Sequence, residues 1–314
     1  MEINKSRKTP PRSFYYFLLG VVVFIWGLDP TVYSNLYKYY SAVAMAAVSA
    51  LFSAIFLFAI SIKKIKSLNM RYVKAAVYIS IFNTLAGILQ KVGLQYTTPA
   101  CYSFLEHLSC ITVPLITLVV LKKRPSVMQW SAATICLVGC MVLTGFGTEQ
   151  ITFGVGEILC AVAGLMYGAG FCAMGQCPKD LDIKLVIMLH MIFYTIVSTI
   201  LAFTLDAIYI GGVPMEELTF SFDPVLLVPC VLYGMISVGV SWLLMTEATR
   251  HTNPAAVSVI TPFGAVIASI ISIIVGTDTL KPSLVIASFM ILCASIISGL
   301  SPDEVSKLKK SKRN

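Results

Sequence analysis

Apolar runs divide this chain at about 13–29, 39–62, 72–94, 99–121, 127–145, 154–175, 185–206, 224–247, 254–276 and 282–300, with short polar or basic segments between them. An α-helix of roughly 20 such residues crosses about 30 Å of hydrocarbon. The pattern therefore predicts an all-α integral membrane protein of ten transmembrane helices. In the third run Ser80, Asn83, Gly87 and Gln90 recur at helical spacing, so one small, polar face of that helix looks away from lipid. The fourth run holds Glu106 and His107 well inside an apolar segment. A charge there costs roughly 3 kcal/mol on insertion scales and has to face protein or water.

Composition agrees. The 314 residues are 57% hydrophobic and only 12% charged, with a mean hydropathy of +0.85, which is more apolar surface than one soluble core could hide. The net charge of +8 would suit nucleic acid, but the basic residues lie in the tails and short connections, where they set orientation instead. With the N-terminus inside, twenty Lys and Arg fall on the inner face and only Lys38, Lys91 and Lys281 on the outer. The expectation is a multi-pass protein of the plasma or inner membrane with both termini cytoplasmic, residues 1–12 and 301–314 being the tails. The first span is expected to be retained, because a polar, basic start leads into a full-length span followed by nine more. The sequence is compatible with a monomer or a homodimer.

The largest piece between spans, 207–223, is an acidic loop with Asp206, Glu216, Glu217 and Asp223, which leaves no room for a soluble catalytic domain. The nine cysteines read as small apolar fillers. The closest pairs, Cys136 with Cys140 and Cys172 with Cys177, match no common zinc or thioredoxin-like spacing.

The halves of the chain echo one another. Thr98-Pro99-Ala100 recurs as Thr252-Asn253-Pro254-Ala255, and Gly145 falls on Gly299, both at an offset of 154, while Trp26-Gly27 is matched by Tyr167-Gly168 at an offset of 141. Five spans per half put the second copy upside down, so residues 13–145 and 154–300 are expected to be inverted five-helix repeats. That is the organisation of secondary transporters, whose site lies near the midplane between the repeats. Gly164 and Gly168 form a GxxxG pair on span six, Gly87 and Gly93 punctuate span three, and Gly234 and Gly239 punctuate span eight. These read as close helix contacts or as flexing points.

The stretch from Gln90 to Gly145 resembles the EamA family of the drug/metabolite transporter superfamily, through Gly93, Leu94, Tyr96, Thr97, Thr98, Phe104, Leu105, Pro114, Arg124, Pro125 and Gly139. The Trp-Gly of the first span and the five-plus-five layout extend the resemblance over nearly the whole chain. It implies a carrier, with export favoured, and is silent about substrate. Where relatives often carry a small or hydroxyl residue after Phe-Leu, this chain has Glu106-His107.

Glu106 is the leading candidate: a cavity carboxylate that counters a cationic group or carries a coupling proton, against a carboxyl bonded to a neighbouring helix for packing. His107 is a second candidate for proton coupling, with a packed histidine as the plainer reading, which also suits His190. Tyr102, Glu106 and Ser109 share a helical face (i, i+4, i+7), and Asn83 and Gln90, with Ser80, would face it from span three. Tyr233, Ser237 and Ser241 form a similar stripe on span eight beside Trp242. Such stripes are either interhelical glue or cavity lining. Trp26 and Tyr167, at equivalent depth in spans one and six, either meet a ligand or fill helix contacts. Asp29-Pro30 reads as the turn ending the first span, and Glu247 with Arg250 as a local ion pair or an inner gate.

No metal site or cofactor is expected, since the few histidines show no HExxH-like spacing, and no Walker lysine is present to bind ATP. No Lys or Arg lies in the middle third of a span, which disfavours phosphorylated substrates. The expected function is secondary-active transport of a small neutral, zwitterionic or cationic metabolite such as an amino acid or amine. Proline-marked connectors at Pro99 and Pro254 would serve as gates. The competing readings are an intramembrane enzyme using Glu106 and His107 on a lipid-type substrate, and a non-transporting scaffold or sensor.

Overall fold

Several polar linkers end in the residue that starts the next helix. The side-chain oxygens of Asn69, Asp182, Asp223 and Asn253 accept the backbone N–H two residues on, from Arg71 (2.9 Å), Lys184 (3.1 Å), Val225 (2.9 Å) and Ala255 (3.1 Å). Each satisfies a donor that the first helical turn leaves open. Pro224 and Pro254 follow two of these caps, at positions where no N–H is needed.

The computed structural model describes residues 10–36, 39–97, 104–144, 154–210, 213–214, 218–219, 221, 223–276 and 279–299. They form α1 (Arg12–Leu36), α2 (Ala42–Ser61) continued by a 3-10 segment (Ile62–Ser67), α3 (Met70–Leu94), α4 (Phe104–Val119), α5 (Val127–Thr144), α6 (Val155–Gly175), α7 (Ile183–Asp206), α8 (Pro224–His251), α9 (Pro254–Val275) and α10 (Pro282–Gly299). Among the described residues α2, α3 and α6 to α9 are each long and apolar enough to cross a membrane, and the remaining four contribute shorter apolar helices. The protein is a multi-pass membrane protein. Phe17, Phe24, Ile55, Phe203, Ile274 and Phe289 stay outward and exposed, as lipid-facing side chains should.

Three helices depart from a plain α form. The expected stop at Asp29-Pro30 is corrected, since the helical backbone runs on to Leu36. A proline removes one N–H and need not end a helix whose other turns stay bonded. The middle of α8, Gly234–Val240, is a π-helix. In α4 the backbone turns at His107–Leu108, and in α9 at Thr261–Pro262. Both breaks are closed by tight i→i−3 bonds, Cys110 N to His107 O and Gly264 N to Thr261 O, each 3.0 Å.

The long packing pairs are α3 with α6, α2 with α7, and α5 with α10; α1 lies along α8 and α9, α4 along α6, α3 also meets α7, and α2 meets the π segment of α8. One apolar core runs through α1, α3, α6, α7 and α8, built on Leu19, Ile79, Met174, Leu185, Ile187 and Met245. A second joins α4, α5, α9 and α10 through Cys110, Cys136, Val266 and Ile291. The described cysteines are free and nearly all buried, in keeping with the filler reading. In the loop after α7, Tyr209–Ile210 pairs antiparallel with Val213–Pro214. The same loop covers the start of α2, where Thr219 O accepts from Ser41 N (3.1 Å) and Ser221 O from the Tyr40 hydroxyl (2.8 Å).

At the opposite, basic end, ion pairs fasten the α2–α3 connection to the α6–α7 loop: Lys64 with Asp182, and Arg71 with Asp180 at 2.8 Å. Beside them Arg250 is buried, paired with Glu247, and donates to the carbonyls of Pro178 (3.2 Å) and Leu181 (2.9 Å). Tyr15 stacks on His251 at 4.4 Å. The end of α8 is thus knotted to α1 and to the α6–α7 loop.

Burial alone would raise the Asp182 carboxyl, but hydrogen bonding and charge from Lys64, with the Lys184 amide, hold it below its ordinary value. A depressed carboxyl adds stability above its unfolded value, and the contribution is lost as pH falls through the folded one. Asp182→Asn keeps a capping side chain and removes the charge. It should lower stability by up to about 1 kcal/mol at neutral pH, and thermal melts of variant and parent should converge in acid; a gap that persists there would refute the ion-pair account.

Candidate functional site

Helices in lipid gain no hydrophobic drive towards one another, so they associate where small residues let backbones touch. Gly164 and Gly168 on α6 provide such a seat for α4. A Cβ on Gly164 would lie 2.1 Å from the Leu105 carbonyl oxygen, and one on Gly168 would lie 2.6 Å from Thr112 Cβ. The GxxxG pair is therefore a close helix contact, and it presses the α4 turn, with Glu106 beside it, against α6. Facing them, Gly170 of α6 leaves room for Asn83 of α3, whose Oδ1 would be 2.1 Å from a Cβ there.

Glu106 is partly exposed at the turn, whereas His107 and Ser109 are buried. Because the backbone turns at 107–108, Glu106 and Ser109 do not continue one regular α-helical stripe, the premise on which they were grouped. Tyr102, the third member, lies outside the described residues, as does Pro99. What α3 brings to Glu106 is Gln90. The Tyr167 hydroxyl donates to Gln90 Oε1 at 2.7 Å, and the Gln90 side chain lies beside the Glu106 carboxyl. Tyr167, Gln90 and Glu106 thus gather into one polar cluster from α6, α3 and α4. Lys91, next along α3, also acts on Glu106 through its charge.

A second group lies deeper. Trp26 Nε1 donates to the Ser237 carbonyl at 3.2 Å, where the π segment of α8 departs from regular bonding. The Trp26 ring meets Trp242 at 6.2 Å, and Trp242 meets His190 at 5.3 Å, both edge-on. His190 Nδ1 is bonded to Ser80 Oγ at 2.8 Å, and Ser80 also donates to the Ala76 carbonyl at 2.6 Å. With the hydroxyl proton so used, the ring N–H sits on Nδ1 and leaves Nε2 as a bare acceptor, buried without a partner among the described residues. Asn83 donates to the Ile79 carbonyl (3.0 Å), and its Oδ1 is likewise buried and unpartnered there.

The remaining residues of the α8 stripe go elsewhere. Tyr233 belongs to the apolar cluster of Leu36, Tyr40, Met45 and Cys230. Ser241 is fully enclosed and donates to the Ile236 carbonyl at 3.3 Å. Ser237 enters through its backbone carbonyl rather than its hydroxyl. The partly exposed members of the two groups are Glu106, Lys91, Tyr167, Trp26 and Trp242. Sequence reasoning counted Lys91 only as an orienting charge. Its position beside Gln90 was the available signal. The Ser80–His190 pair joins α3 to α7 across 110 positions and had no local signal at all.

The model of the EamA-like transporter family matches residues 13–145 and 154–300. An uncharacterized transporter of Archaeoglobus fulgidus is 24% identical over 226 residues, which are 71% of this chain and 67% of the relative. A solved crystal structure superposes with a TM-score of 0.74 at 13% identity, covering 92% of this chain and 98% of the other. This last likeness speaks for the fold alone.

The glycine seat is tested by a pair of substitutions. Gly164→Ala should destabilise by about 1–3 kcal/mol, because the added methyl meets backbone. Gly20→Ala, in α1 where nothing lies within 4 Å, should instead stabilise by up to about 1 kcal/mol through helix propensity. Melting curves in one detergent that moved in the same direction for both would contradict the close approach.

Proposed function

Because the chain belongs to the EamA-like transporter family, we propose that it is a secondary-active carrier that exports a small neutral, zwitterionic or cationic metabolite, with an amino acid as the best fit. The observation that carries this reading is the polar cluster of Glu106 with the bonded Tyr167–Gln90 pair and the Lys91 charge beside it. A carboxylate with an ammonium whose charge acts on it offers opposite poles to a zwitterion, the amine of the cargo turning to Glu106 and its carboxylate to Lys91. Trp26, Trp242 and Tyr167 supply the aromatic wall that such a site needs for an apolar side chain.

Alternating access between two inverted repeats is part of the proposal, and several features support it. The turns at 107–108 and 261–262, and the i→i−3 bonds Cys110–His107 and Gly264–Thr261, are related by the same offset of 154 that aligns Thr98 with Thr252. Exchanging each helix for the one five places away turns the packing of α3 on α6 into that of α8 on α1, and of α4 on α6 into that of α9 on α1. Trp26 and Tyr167, equivalent at an offset of 141, each bond across such a pair, to α8 and to α3. Glu106 corresponds to Ile260 in this register, so the fold does not require a carboxylate there. The positive-inside bias supports cytoplasmic ends in the plasma or inner membrane. In that orientation the Arg250–Glu247 knot closes the cytoplasmic side and the α9 start at Pro254 flanks it. Glu106 is assigned the coupling proton as well as the cargo amine.

Uptake of labelled amino acids into proteoliposomes, with an imposed proton gradient, tests both roles. Glu106→Gln should weaken transport roughly ten- to a hundredfold, the worth of a charge-assisted hydrogen bond, and remove its pH dependence. Lys91→Gln should impair amino acids and spare the corresponding amines. Full retention of rate and pH dependence in Glu106→Gln would exclude the carboxylate from both tasks.

A further inference from the structure

One cleft lies away from the Glu106 cluster, at the basic end of the bundle between α3 and α6. It is an open cleft of about 420 Å³ lined by Arg71, Lys74, Ala75, Tyr78, Gln176 and Pro178, among others. Its α3 wall continues as a single helical stripe, Arg71, Lys74, Tyr78, Ile81 and Leu85, spaced i, i+3, i+7, i+10 and i+14 and exposed throughout. Tyr78, Ile81 and Leu85 are 43%, 50% and 42% exposed, so no helix among the described residues covers that face. Along the stripe the chemistry changes with depth in one direction: two cations at the rim, then a phenol, then branched aliphatic side chains.

That order is the order of a phospholipid read from phosphate to acyl chain. Lys74 makes no ion pair among the described residues, and Arg71 shares its charge with Asp180 at 2.8 Å. The Gln176 amide reaches the Tyr78 hydroxyl and the Cys172 carbonyl only at 3.5 and 3.4 Å, long enough to give way to a stronger acceptor. We infer that the α3–α6 cleft is a binding site for one anionic phospholipid of the leaflet at the basic end. Its phosphate meets Lys74 and Arg71, its ester region meets Tyr78 and Gln176, and an acyl chain lies along Ile81 and Leu85. A soluble anion satisfies only the rim, whereas the aliphatic part of the stripe calls for a chain. Basic pockets between membrane helices are where anionic headgroups are held. The inference requires the membrane setting and not the transport reading.

The test uses the full-length protein extracted from bilayers containing equal phosphatidylglycerol and phosphatidylcholine, with retained lipid counted by native mass spectrometry. The parent should keep phosphatidylglycerol in preference. Lys74→Gln should lower its retention about fivefold, the worth of one lysine near an anionic surface, with phosphatidylcholine unchanged. Ala75→Phe, which fills the cleft without touching a charge, should lower it as well. Lys123→Gln, on another exposed basic turn, should leave it as in the parent. The assignment is overturned if Lys74→Gln retains phosphatidylglycerol like the parent, if Lys123→Gln loses as much as Lys74→Gln, or if inorganic phosphate at millimolar concentration displaces the lipid.

Discussion

The seating of α4 on the glycine face of α6 is the contact on which the rest depends. Inside a bilayer, lipid tails solvate a leucine as well as another helix does, so only close van der Waals packing and interhelical hydrogen bonds distinguish one arrangement from another. At Gly164 backbone meets backbone, and nothing larger than hydrogen fits. That contact fixes the height of the α4 turn, and the height of the turn fixes Glu106. Gln90 then comes beside it from α3, bonded in turn by the Tyr167 hydroxyl of α6. A carboxylate in this setting is held by partners chosen by geometry, since water is scarce there.

Buried polar groups follow the same logic elsewhere in the bundle. Ser80 and His190 satisfy each other across α3 and α7, while Thr112, Thr117 and Thr249 return their hydroxyls to carbonyls four residues earlier, at 2.9, 2.8 and 2.6 Å. Such self-bonded hydroxyls are glue within a helix and offer little to a ligand. Burial divides the polar positions further: Ser241 and Asn83 are enclosed, whereas Glu106, Tyr167 and Trp26 are partly exposed.

Much of the fold could be read from residue order, because span length, capping residues and basic loops each leave a local mark. Asn69, Asp182, Asp223 and Asn253 stand where their helices begin, and the GxxxG pair marks a contact by its spacing alone. The misses are of another kind. Pro30 has a local preference that the surrounding helix overrides. The turn at 107–108 has neither Gly nor Pro to announce it, although its counterpart contains Pro262. The π segment of α8 is composed of residues equally at home in an α-helix. Of the site, the polar members were visible as residue types. Their grouping into a polar cluster and a deeper aromatic set was not, because it is decided by which helices touch.

The two kinds of charge link at the basic end differ in their sensitivity to the surrounding electrolyte. The guanidinium of Arg250 is sheltered, with 7% of its side chain accessible, whereas Lys64 is 62% and Arg71 64% accessible. Mobile ions reach the latter and scarcely reach the former. Raising ionic strength therefore loosens the tether between the α2–α3 connection and the α6–α7 loop while leaving the end of α8 clamped, so one rim of the bundle holds a soft fastening and a hard one side by side.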